Sequence, residues 1–200
     1  MKINELLQDL ADEYVQGDPT EFHRIGDLKV VEGVVFSCPA PPEWSACGDV
    51  PPGSHPVYVG VRRFRDPGTG RESSTVEMVF VPLAGPEEIA GAEFEDAVED
   101  WQPLGPDFGF LWDSTAMDAF RDRSVRPDAF EDLAAFVDHV GAELDAADAA
   151  GKVPAWVDAV VNEETGANVL AFRVGDESAL CLEGRDDAGN LVALLFSGTV

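Results

Sequence analysis

Three aspartates around one aromatic stretch are the residues whose types and spacing best suit chemistry. Asp107, Asp113 and Asp118 bracket and follow Phe108-Gly109-Phe110-Leu111-Trp112, an apolar run that reads as a short buried strand ending in a polar turn. Carboxylates at the end of such a strand can bind a hard cation through oxygen or share a proton as an acid/base pair. His55 would add a side chain that titrates near physiological pH. Together these residues allow a small metal-dependent or acid/base hydrolase. The structural alternative is that Asp113 caps a helix opening at Ser114, with the other two in solvent. His23 and His55 read as loop residues, and His139 as a surface position on a helix. There is no GxGxxG, phosphate-binding loop, HExxH or GxSxG, so the sequence asks for no cofactor and no dedicated metal site.

Two charged surfaces offer binding instead of catalysis. Arg62, Arg63, Arg65 and Arg71 form the one concentrated basic patch, suited to an anionic group or to internal salt bridges. Trp44 lies in a loop, Pro39 to Pro56, whose prolines make it too rigid for a plain linker, so it either lines a site or packs on the sheet. Glu87, Glu88, Glu93, Glu95, Asp96, Glu99 and Asp100 face no basic residue in their own segment and read as a solvated face. They belong to a chain of 200 residues with 39 acidic against 13 basic side chains, a formal charge of −26. Such a charge opposes nucleic acid and anionic membrane surfaces, and it suits a basic protein partner or plain solubility.

The elements that must position these residues follow from periodicity. Ile3, Leu6, Leu7, Leu10 and Tyr14 predict an N-terminal helix with one apolar stripe, a docking arm or a lid over a sheet. Asp27 to Cys38 reads as the first strand, with a bulge at Gly33. Val57 to Arg65 and Ser73 to Leu83 form a hairpin across Asp66 to Gly70, with Val57, Val59 and Val61 on one face. Thr115 to Arg123 reads as a helical segment with Met117 and Phe120 inward. Asp128 to Ala149 is the longest helix, its stripe Phe130, Leu133, Val137, Val140, Leu144 and Ala147, with Asp128 and Glu131 in the form of a capping box. Trp156 to Val161 is a strand, and Asn168 to Phe196 reads as an antiparallel meander. In it, Leu191 to Phe196 is apolar throughout, as in a central strand covered on both faces.

Cys38, Cys47 and Cys181 are an odd set without metal spacing, and Cys181 reads as a buried free thiol in a strand. With no signal peptide in Met1 to Gln16 and no apolar run of membrane-spanning length, the expected setting is the cytoplasm with reduced thiols.

From about Val31 onward the chain resembles bacterial domain-of-unknown-function family 4241. The resemblance rests on Pro52-Gly53-x-x-Pro56-Val57, on Trp101 and its neighbours, on Asp113-Ser114-x-x-Met117-x-x-Phe120, and on Gly175-Asp176 followed by Gly184-x-Asp186-Asp187-x-Gly189 and an apolar strand. This sequence departs from the family pattern at Glu177, Ala179 and Phe196-Ser197. The resemblance implies a shared fold and brings no activity.

The expected fold is α+β: a mainly antiparallel sheet, a sandwich or open barrel, with one long packed helix. Residues 1–20 form a helical arm and 21–200 a single domain. The function expected is a non-enzymatic protein-binding module meeting a basic partner, an immunity protein that neutralises a toxin being one form. The alternative is the aspartate hydrolase.

Overall fold

The computed structural model describes residues 1–16, 18–37, 50–65, 67–68, 70, 72–97, 102–103, 108–121, 130–175 and 178–198. Helix α1 (Ile3–Tyr14) buries Leu6, Leu7, Leu10 and Ala11, the stripe its spacing predicts. Strands β1 (Glu21–Val30), β3 (Gly53–Arg65), β4 (Glu72–Pro82), β5 (Glu93–Asp96), β10 (Ser178–Arg185) and β11 (Leu191–Gly198) make one antiparallel sheet, in the order β1-β3-β4-β11-β10-β5. The short β6 (Gln102–Pro103) also pairs with β10. A second sheet holds β2 (Val34–Ser37), β7 (Phe108–Asp113), β9 (Asn168–Arg173) and β8 (Trp156–Val160), in the order β2-β7-β9-β8. The fold is therefore α+β with antiparallel sheets, as the sequence predicts.

Four layers result: α1, the large sheet, the small sheet, and helix α4 (Leu133–Ala149). Strand alternation assigns the faces. Along β11, Leu194 and Phe196 enter the core between the sheets, where they meet Val57, Val59 and Val61 of β3 and Leu170 and Phe172 of β9. Ala193 and Leu195 point the other way, onto Leu6, Leu7 and Leu10 of α1. Along β7, Leu111 joins the inter-sheet core while Phe110 and Trp112 pack under α4. β11 lies between β4 and β10, apolar on both faces, so the run Leu191 to Phe196 was legible.

Several expected boundaries are corrected. The first strand is two strands in different sheets. The chain bends at residues 31–33, because Asp113 Oδ2 accepts the backbone N–H groups of Val31, Glu32 and Gly33 at 2.8, 2.9 and 3.1 Å. Gly33 is in that turn, and the register shift of β1 falls between Arg24 and Gly26. The expected meander is likewise divided. β9 belongs to the small sheet, and only β10 and β11 form a hairpin. Helix α4 starts five residues after Asp128. Its N-cap is Asp132, whose side chain accepts the Ala135 N–H at 2.8 Å. Phe136, absent from the expected stripe, is the fully buried centre of the helix contact, with Phe110 and Phe130 edge-on to it. The helical segment after β7 is a 3₁₀ turn, Ser114–Met117, leading into α3 (Asp118–Arg121). A short helix, α2 (Pro86–Ile89), and β5 occupy the acidic segment read as a solvated face. Among the described residues, no helix is long and apolar enough to cross a membrane.

Candidate functional site

Asp113 is fully buried at the end of β7. Besides the backbone donors of residues 31–33 on Oδ2, its Oδ1 accepts the Thr115 N–H at 2.8 Å and the Thr115 hydroxyl. A carboxylate has about four lone-pair sites, and the protein's own donors fill them. The side chain caps the turn at Ser114 and ties it to the bend between the sheets. Asp107 and the side chain of Asp118 lie outside the described residues. His55 is in β3 and not in a loop; its Nε2 lies 2.7 Å from the Pro51 carbonyl oxygen. His23 is also in a strand, β1, with Nε2 3.1 Å from Glu21 Oε2. His139 is exposed on α4, its ring against Phe130.

The described arginines of the basic patch each have an internal acceptor. Arg62 Nε donates to Glu77 Oε1 at 3.2 Å, and Thr75 donates its hydroxyl to the same oxygen at 2.5 Å. Glu77 is the extra residue of a β-bulge, since Gly60 pairs with Met78 and Val61 with Val76. It is 2% exposed. Arg63 pairs with Glu21 at 2.6 Å and holds that carboxyl below the usual range, His23 adding to the effect. Arg65 Nε donates to the Gly70 carbonyl at 2.9 Å. Trp44 and Arg71 lie outside the described residues.

The acidic segment behaves differently. Glu87 and Glu88 project from α2, and Glu93, Glu95 and Asp96 from β5, all exposed. Glu99 and Asp100 lie outside the described residues. β5 ends the large sheet, pairing with β10 from Glu93↔Arg185 to Asp96↔Leu182. Its alternation sends Phe94 toward α1 and Glu93 and Glu95 to the opposite face. Phe94 lies over Gly184: a Cβ there would stand 2.7 Å from its ring. Tyr14 closes on the same ring, with centroids 5.2 Å apart.

On the α1 face the result is a groove of about 90 Å³, floored by Leu6, Leu10, Ile89 and Phe94 and rimmed by Asp9, Glu13 and Tyr14. On the other face a cavity of about 340 Å³ is lined by Glu93, Glu95, Arg185, Asp186 and Asp187. Arg185 is already engaged there, donating to Glu183 at 2.6 Å and to the Gly189 carbonyl at 2.9 Å. Asp186 is held below its usual range by the Asn190 side chain and by backbone N–H groups of its loop. In contrast, burial raises the Tyr14 phenol, and the carboxylates of Glu13 and Glu93 push it further. The N-terminal amine lies 3.5 Å from Glu87.

Composition flagged Glu87, Glu88, Glu95 and Asp96. It did not show that Asp9, Glu13 and Tyr14, some eighty residues away, frame the same corner. The signal available was the acidic polar face of α1, which only the packing connects to β5. Cys181 is buried but disulfide-bonded, not the free thiol expected, and its partner lies outside the described residues. Comparison with family models, with curated proteins and with solved structures finds no match.

Proposed function

We propose that this chain is a non-enzymatic protein-binding module whose acidic corner receives a basic protein. The observation that carries the reading is a corner where Asp9 and Glu13 rim a groove on one face of β5 while Glu93 and Glu95 line a cavity on the other, with no ion pair to any of the four among the described residues. Arg24, Arg62, Arg63 and Arg173, away from this corner, are matched to carboxylates. Carboxylates without ion pairs favour a cationic partner through steering and complementarity.

Neutralisation of a basic toxin is one form of the reading. Membership of domain-of-unknown-function family 4241 belongs to it as well, implying a shared fold. So does a cytoplasmic setting, against which the Cys181 disulfide weighs, because the cytosol keeps most thiols reduced. The hydrolase alternative gains nothing from Asp113, whose oxygens are occupied by protein donors.

The test is capture of partners from host extract at low salt, followed by binding of the purified partner at rising ionic strength. Binding should weaken as salt screens the corner, and with Glu87→Lys and Glu95→Lys. Recovery of no partner, or binding indifferent to salt, sinks the reading.

A further inference from the structure

The large sheet stops at β5, and among the described residues no strand pairs with its outer edge. A sheet edge offers a row of backbone N–H and C=O groups that templates another strand. Any strand added there would alternate its side chains between the faces β5 already divides. One face is the groove beside Phe94 and Tyr14, and the other is the cavity with Glu93, Glu95 and Asp187.

We propose that β5 is a strand-addition site for an extended segment of a basic protein in which lysine or arginine alternates with aliphatic or aromatic residues. The segment's main chain pairs with Glu93–Asp96. Its cationic side chains lie over Glu93, Glu95 and Asp187, and an apolar side chain enters the groove against Phe94. The proposal rests on the basic-partner reading and adds the place and the conformation of binding.

Three observations select this occupant. The cavity's own arginine, Arg185, is already bound to Glu183 and Gly189, so the acidic lining remains to be neutralised. The groove, at about 90 Å³, suits one side chain, whereas a docked helix needs a row of anchors along a longer trough. A second copy of this chain is disfavoured, because Glu93, Glu95 and Asp96 would face like charges across the new pair.

The test uses the full chain and dye-labelled eight-residue peptides, read by fluorescence anisotropy at low salt. The probe alternates lysine and valine. Controls are the same composition in two blocks, and the alternating peptide N-methylated along one edge or the other, which removes pairing N–H groups and keeps the charge. The alternating probe should bind. Block order, N-methylation of one edge and Glu93→Lys/Glu95→Lys should each weaken it by roughly tenfold or more. Glu163→Lys/Glu164→Lys, in the exposed turn between β8 and β9, should change it by less than about threefold. Salt-sensitive binding that ignores both N-methylated peptides and the β5 reversals overturns the β5 site and leaves the basic-partner reading standing. No binding to any of the cationic peptides overturns both.

Discussion

Asp113 shows how much one side chain can organise when its acceptors all find donors. Its carboxylate joins the bend at residues 31–33 to the turn after β7, segments about eighty positions apart in the chain. Asp113→Asn would set an amide N–H₂ against backbone N–H groups that can only donate. A loss of about 2–4 kcal/mol in urea unfolding is expected, and an unchanged midpoint would contradict the clamp. Tyr14 reports on the acidic corner. Its folded pKa is raised above the ordinary phenol value by burial and by Glu13 and Glu93, so the unfolded chain ionises first. Stability from this group is full below the unfolded pKa and falls as pH rises from there to the folded value. Absorbance titration at the tyrosinate band, with Tyr14→Phe as reference, should show a late-titrating phenol that Glu13→Gln and Glu93→Gln bring partway back, burial keeping the rest of the shift. At Cys181, intact mass with and without reductant should differ by the hydrogens of the bonded thiols, and no difference would refute the bond.

At the scale of elements, each helix holds a sheet face that would otherwise be wet. Leu7 is fully buried between α1 and the large sheet, and Phe136 between α4 and the small one. Leu7→Ala should cost about 2–5 kcal/mol and Phe136→Ala about 3–5, measured by denaturant unfolding. Gly184→Val should displace Phe94, costing about 1–3 kcal/mol and reshaping the groove. The hairpin of β3 and β4, the buried β7 and β11, and the existence of α4 were all legible, because each is a local pattern of apolar spacing. What was not legible depends on distant partners. β5 has a single inward apolar residue, Phe94, within four positions, too short for a period to declare itself. The division of Asp27 to Cys38 between sheets is set by Asp113, not by those residues' own pattern. α4 starts at Leu133 because Asp132 offers the cap to the N–H of Ala135, while Asp128 lies outside the described residues. Of the site, the carboxylates of α2 and β5 could be read as a group, while the groove needed α1 brought onto the sheet.

For the molecule as a whole, the charge of −26 is unevenly answered. Arg24, Arg62, Arg63, Arg173 and Arg185 each neutralise carboxylates near them. Among the described residues, Asp9, Glu13, Glu93 and Glu95 of α1 and β5 have no such ion pair. Self-repulsion of this size should make the fold more stable in salt. Raising NaCl from about 0.02 to about 0.5 M should lift the melting temperature by a few degrees, and a fall would argue that internal ion pairs dominate.

The position of β11 also sets an order of events in time. β4 lies between β3 and β11, and β11 is made more than a hundred residues later. During synthesis the hairpin of β3 and β4 can form early, but β4's other edge, rich in Val79, Phe80 and Val81, must wait unpaired for the last strand. Ribosome-bound chains stopped before Leu191 should therefore be protease-sensitive and bind chaperones. Chains extended past Gly198 by a linker that clears the exit tunnel should lose both properties.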